Sequence, residues 1–488
     1  MTDGGDESGG AGTAVRRERF AGGPAREFLS SMAFDDRLFA ADLAVDRAHV
    51  VMLAEQGIVD GDDASAILGA LDDVSDAGFE ALPDGEDVHE AIETAVIDRV
   101  GPEGGRMHTA RSRNDEVATC LRYEYRKTLL EAAETTIAAR EALCEVAEAE
   151  RETVMPGYTH LQPAQPTTVA HWALSYEAAL ARDTERLLAA YARTNRSPLG
   201  AAAFAGTPFD VDRERVAELL GFDAVLGNSM DAVSARDFLV EGTAAFAGLA
   251  TTLSGLAEDL VVFSNKGLVE LDDDYASTSS IMPQKKNPDT LELVRSTAGD
   301  AYGGLQGLLT TLKGLPRAYN RDLQNASPHA WRVADAVAEA TDVAAGAVAT
   351  AEWPAAALEA AAGEGFSTAT GVADLLAMCG LPFRTAHEVV AEAAQRGADY
   401  DALDRACEDV LGEGIEAYAD RETVEATLDP AASVASRDSA GGPAPEAVAE
   451  ALAAALDGCV TDTDRVGALA ADLEAARDAL AAEVATHA

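Results

Sequence analysis

FAGLATTLSGLAEDLVVF (Phe246–Phe263) places its large apolar residues at positions 246, 249, 253, 256, 260 and 263. Spacings of 3, 4, 3, 4 and 3 set those side chains in one seam along a helix, the repeat that lets helices pack lengthwise. The helical pattern extends back to Asp231. Asp115 to about Glu150 has neither proline nor glycine, and Thr167–Thr194 is similar. Thr290–Leu315 and His329–Trp353 read as two more long helices. A globular helix averages about 11–12 residues, so these are two to three times longer. Helices of that length need partners along their whole extent, and a bundle supplies them. A single long coiled coil would do so too. Five separated helices favour the bundle, and seams this long close readily by oligomerising.

The chain has 488 residues, 48% hydrophobic and 25% charged, enough for a large core and more than one domain. The pattern divides into a helical N-terminal region at 1–110, a central long-helix bundle at 111–360 and a helical C-terminal region at 361–488. Acidic residues number 85 and basic ones 37, a formal net charge of −48. That charge repels nucleic-acid phosphates and anionic membrane surfaces, so neither is expected as a partner. It is spread along the chain, as on a solvated acidic surface, and lysine is nearly absent. Together these point to a salt-rich cytoplasm, with loss of structure expected when low salt leaves the self-repulsion unscreened. The five cysteines are odd in number, without a CxxC pair, which fits neither a disulfide framework nor a zinc site. The opening MTDGGDESGGAGTAVRRERF lacks the apolar core of a signal peptide, and its first dozen residues read as disordered. No uninterrupted apolar run reaches 18 residues.

Three irregular stretches between the helices are dense in chemistry. In MHTARSRNDE (Met107–Glu116), Asn114 reads as an N-cap. Arg111 and Arg113 beside that helix start make an anion site, or else two surface arginines offsetting nearby acid. In PGYTHLQPAQPTT (Pro156–Thr168), three prolines forbid a helix and put His160 on a turn, where it can titrate near neutrality or merely pack. In TSSIMPQKKNPD (Thr278–Asp289), Lys285 and Lys286 are two of only five lysines. Asn287 and Pro288 read as N-cap and first residue of the next helix, so both lysines sit at its positive end. The small residues of 276–281 suit a mobile lid. Two anion sites with a histidine and a serine suggest a dicarboxylate substrate and proton transfer. No metal-ligand spacing, GxGxxG or P-loop is present.

At these residues the chain resembles the fumarase/aspartase superfamily, whose signature loop reads roughly GSSxMPxKxNP. QKKNPD, RSRND (Arg111–Asp115), YTHLQPAQP (Tyr158–Pro166) and YNRDLQ (Tyr319–Gln324) resemble its argininosuccinate lyase branch, as do GPAREFLSSM near the start, PFRTAHEVV and GGPAPEAV. Fumarases and adenylosuccinate lyases usually carry other residues around the signature lysine. The resemblance covers nearly the whole chain. It implies a mainly α fold of three domains, a homotetrameric core of long helices, and active sites each assembled from three subunits. It implies a reversible β-elimination of argininosuccinate to fumarate and arginine, in arginine biosynthesis, with no metal and no organic cofactor.

By the same resemblance Ser279 is the base, His160 the proton donor with Glu292 as partner carboxylate, and Lys285 and Asn287 stabilise the dianionic aci-carboxylate. The residues leave open which of Ser279 and His160 is acid and which base; serine is taken as the base. Ser31, Arg113, Asn114, Thr159, Tyr319 and Gln324 match substrate contacts, and His89 with Glu93 matches a region lining the site. Three positions depart from the pattern: Thr278 replaces the signature glycine, Ser327 stands where many members have lysine, and Glu116 replaces a common glutamine. Another superfamily lyase and a catalytically inactive structural relative are the alternatives.

Overall fold

The computed structural model describes residues 25–487. The expected disorder of the first dozen residues, and the Gly23-Pro24 start of GPAREFLSSM, lie outside them. The N-terminal region packs three helices, α1 (Phe39–Glu55), α2 (Gly61–Ala77) and α3 (Val88–Val100). The bundle follows: α4 (Arg113–Ala149), α5 (Val169–Thr194), α6 (Asp237–Lys266), α7 (Asp289–Leu312) and α8 (Ser327–Ala349). The apolar seam of α6 is buried throughout, from Phe246 to Phe263, against α5, α7 and α8. α6 is long and apolar enough to cross a bilayer by composition, yet half of its most apolar window is buried inside the bundle. The helix expected from Asp231 is interrupted. Ser229–Ser234 forms a short helix, and α6 begins after Arg236.

Between α4 and α5 the proline-rich stretch forms an antiparallel hairpin, β1 (Val154–Thr159) and β2 (Gln162–Thr168). His160 and Leu161 form its tip, both with positive φ. A second, minimal hairpin, β3 (Ser277–Thr278) and β4 (Lys286–Asn287), carries the signature loop. Its base rests on α8, where Tyr275 lies so close to Gly346 that any side chain there would collide with the ring.

The C-terminal region departs from the boundary expected at 361–488. Val372–Val424 has a small core of its own, built on α9 (Ala369–Met378), α10 (Phe383–Ala394), α11 (Tyr400–Leu411) and α12 (Arg421–Leu428). The last helix, α13 (Pro445–His487), returns to the main core through Val448, Leu452, Cys459, Val466, Leu480 and Val484. It is clasped there by Arg140, buried on α4, which reaches Asp462 at 2.6 Å and Glu177 of α5 at 3.0 Å. The N-terminal region likewise shares one continuous core with the bundle.

Candidate active site

The residues expected to act together fall into two groups at opposite ends of the bundle. α4 has 37 residues and α6 has 30, so at 1.5 Å per residue they are about 55 and 45 Å long. Ser31, His89, Arg113, Asn114, Tyr319 and Gln324 lie at the end where α4 and α6 begin. Thr159, His160, Ser279, Lys285, Asn287 and Glu292 lie at the end where they finish.

The first end is tied together by ion pairs and backbone contacts. Ser112, not Asn114, caps α4: its hydroxyl accepts the Asn114 N–H at 3.3 Å, and Asp115 accepts the Ser112 N–H at 3.0 Å. Asn114 is therefore free of the capping role, and its amide donates to the carbonyl of Ala203 at 3.0 Å. Arg113 reaches Asp87 at 3.2 Å, the carboxylate that caps α3. Ser31 donates to Asp35 at 2.7 Å, and Asp35 also accepts the N–H of Val88 at 3.2 Å. Arg321 and Gln324 both donate to the carbonyl of Leu29, at 2.6 and 3.3 Å, and Arg321 pairs with Glu86 at 2.6 Å. Tyr319 is partly buried within the field of Arg236 and Arg321, although burial dominates and raises its phenol.

Beneath this end lies a buried charge cluster, and two expectations fail there. Arg111 does not join Arg113 in an anion site. It is buried, with its guanidinium between Asp46 and Glu116, the latter at 3.0 Å, because two carboxylates this deep need a fork-shaped counter-ion. His89 is also buried, with Nδ1 2.9 Å from Asp42, so its ring positions the N-terminal helices and presents no face to solvent. Burial opposes a charge on His89, but Asp42 outweighs it and holds the imidazole up to about 10. Burial likewise opposes the charge on Asp42, and His89 in turn keeps that carboxyl below its usual range. Burial pushes Asp46 up to about 7 against the pull of Arg111, and pushes Glu116 well above the ordinary carboxylate range. Glu93 faces His108 at 3.3 Å. Asp35, Asp87, Arg236 and Arg321 were missed from sequence, since nothing in their spacing marks them as neighbours.

The far end is open. His160 and Thr159 are exposed at the hairpin tip. The hairpin is fixed from below by Tyr158, which packs near Phe263 and under the Lys266 ammonium, 5.0 Å from the ring centre. In the signature loop Ser279 donates its N–H to the carbonyl of Lys285 at 3.0 Å, and its Oγ accepts the N–H of Met282 at 3.1 Å. Lys286 is latched to Asp273 at 2.7 Å, whereas no described carboxylate lies within ion-pair distance of Lys285. The adjacent lysines thus have different surroundings. Asn287 is not the helix cap expected of it. It pairs with Ser277 in the small hairpin, Pro288 occupies the cap position, and the start of α7 receives no side-chain cap. Glu292 is exposed in the first turn of α7, and among the described residues no ion pair joins it to His160. Ile281 at the loop's apex is 83% exposed.

A lyase family model matches residues 26–303, and a model of the argininosuccinate lyase C-terminal region matches 366–435. The chain is 69% identical to argininosuccinate lyase of Haloarcula marismortui over 93% of this chain and 92% of that one. It is 71% identical to argininosuccinate lyase of Natronomonas pharaonis over 93% and 94%. The chain belongs to the argininosuccinate lyase family. A solved structure of EDDS lyase in complex with formate superposes with a TM-score of 0.85 at 33% identity, covering 95% of each chain. The C-terminal family match ends at residue 435, just before α13 leaves the small core for the bundle, so family and fold divide this region alike.

Proposed function

We propose that this protein cleaves argininosuccinate reversibly to fumarate and L-arginine, in arginine biosynthesis, and that it does so as a cytoplasmic homotetramer in concentrated salt. The observation that carries the reaction is the high identity to argininosuccinate lyases over nearly the whole chain, with Ser279, His160 and Lys285 all in place. Relatives from Haloarcula, Natronomonas and Halobacterium, together with a net charge of −48, support the salt-adapted setting. The separation of the two residue groups supports the assembly. Helices of about 45–55 Å keep them apart within one subunit, so antiparallel neighbours must bring one end of each to the other.

The chemistry follows from what each end supplies. Removing a proton beside a carboxylate builds a second negative charge on that group, and fixed positive charge placed there lowers the barrier. Lys285, unlatched, is the cation for this duty, with Asn287 and the uncapped start of α7 beside it. Ser279 takes the proton. The Met282 N–H directed at its Oγ favours the alkoxide, as a donor to the charged form does for any acid. His160, on an exposed turn, delivers a proton to the departing guanidino nitrogen, with Glu292 as its partner across a subunit boundary. At the other end Ser31, Arg113, Asn114, Tyr319 and Gln324 hold the substrate, joined by Thr159 beside His160. His89 supports this wall from below.

The test is direct. Purified protein in concentrated potassium chloride is mixed with argininosuccinate, fumarate is followed by ultraviolet absorbance, and light scattering gives the particle mass. Fumarate from wild type but not from Ser279→Ala, in a tetramer, is the expected result. A folded tetramer that releases none overturns the reading.

A further inference from the structure

A cavity of about 490 Å³ opens between the Asp231–Asp237 segment and the loop from Leu312 to Leu323, at the end of the bundle that holds Tyr319. Arg236 lies in its wall, only 2% exposed. Nη1 of Arg236 donates to the carbonyls of Val233 and Ala235, at 3.3 and 2.9 Å. Its Nε and Nη2 meet no acceptor among the described residues. Other buried arginines are more fully answered: Arg140 meets Glu177 and Asp462, while Arg111, Arg122 and Arg126 each leave only Nε without an acceptor among the described residues. A buried cation with two unanswered donor groups is unfavourable unless an anion arrives. The surroundings are cationic as well. Lys313 lines the same cavity with no carboxylate at ion-pair distance among the described residues, and α6 begins directly after Arg236 without a side-chain cap, so its positive end adds to the field. The acids that line it are engaged: Asp231 pairs with Arg317 at 3.1 Å, and Asp237 accepts the N–H of Phe238 at 3.1 Å.

We infer that this cavity is a carboxylate subsite and that Arg236 binds the α-carboxylate of the arginine half of the substrate. The inference rests on the reaction proposed above. The reacting carbon and the succinyl carboxylates belong to the signature loop, and the arginine half extends away on a chain of three methylenes. Tyr319 and Asn320 lie on the loop that lines this cavity, so the far end of an extended substrate held by Tyr319 reaches a site that needs an anion. Arg236 is thus a specificity residue for the amino-acid end, with no part in proton transfer.

The reverse reaction separates the two halves. Wild type is given fumarate with L-arginine or with agmatine, which is arginine without its carboxylate. Arginine is expected to be used with a far lower KM than agmatine. In Arg236→Gln the KM for arginine rises about 10- to 100-fold, the range for a lost charge-assisted hydrogen bond. The KM for fumarate and the weak use of agmatine stay as they were, and Arg236→Lys recovers part of the arginine preference. Equal rises in the KM of fumarate and arginine, or an unchanged preference for arginine over agmatine, would overturn the assignment. A second measurement needs no variant: inhibition of argininosuccinate cleavage by agmatine as strong as that by arginine would also overturn it. Failure of the parent reading is distinct, since wild type would then form no argininosuccinate from arginine at all.

Discussion

The two ends of the bundle solve opposite problems with the same residue types. At the start of α4, most cations meet acids: Arg111 meets Asp46 and Glu116, Arg113 Asp87, Arg321 Glu86 and His89 Asp42, with Arg236 the exception. At the signature loop, Lys285 has no such partner among the described residues, and His160, Ile281 and Glu292 stand in solvent. A buried charge must be paired or it destabilises the fold; an exposed one can wait for substrate at little cost. The paired end is therefore held by its own ion pairs, while the open end leaves its side chains uncommitted, as the proposed completion of the site by another subunit requires.

The largest expected effect breaks the paired end. Arg111→Met leaves Asp46 and Glu116 buried without their cation, and removing one partner of a buried pair costs about 3–5 kcal/mol. Denaturant unfolding in concentrated potassium chloride should show that loss. A change below about 1 kcal/mol would mean that the two acids accept protons instead, and that the ion pairing is not what secures the start of α4.

The next prediction divides the adjacent lysines of the open end. Lys285→Gln removes the uncommitted cation proposed to face the developing dianion, and loss of one such stabilising group is expected to lower kcat by about 10²–10³-fold. Lys286→Gln removes only an exposed pair with Asp273, worth about 0.2–1 kcal/mol, so its kcat should fall no more than a few-fold. Steady-state kinetics on both variants decides it, and equal losses would erase the distinction between the two lysines.

Much of this was legible in the sequence because it is periodic. The seam from Phe246 to Phe263 repeats on helical spacing, and every member is buried. The three prolines of 156–166 excluded a helix at His160, yet nothing in them specified strands, which depend on register across the turn. Ser112 and Asn114 are equally good caps by type, and only backbone geometry chooses between them. Arg111 and Arg113 look alike in RSRND; their difference lies in which one faces Asp46, 65 residues away in sequence. The return of α13 to the bundle was hidden because its core contacts are scattered among alanines along 43 residues. The candidate site residues were named by family likeness, but that they belong to two ends is a property of helix length and fold.

The smallest effect sharpens the comparison most, because it asks what the paired end needs. The cluster holds three acids, Asp42, Asp46 and Glu116, against two cations, His89 and Arg111. Charge balance in a buried site therefore requires a proton on one acid. Burial places it on Glu116, whose carboxyl is pushed well above its usual range, more than on Asp46, which is pushed up to about 7. A group whose folded-state pKa is raised stabilises the fold fully below its unfolded pKa, and that contribution is lost as pH rises toward the folded value. Wild-type stability should thus decline as pH climbs from about 4 through neutrality, with His89, held up to about 10, extending the decline to alkaline pH. Glu116→Gln reproduces the shape of the protonated acid and cannot ionise. Its kcat/KM at pH 7 should match wild type, and its unfolding free energy should fall less steeply with pH, so the variant gains on wild type as pH increases. Unfolding curves at several pH values measure this. If the two slopes coincide, Glu116 is ionised in the folded protein, and the balancing proton does not rest on it.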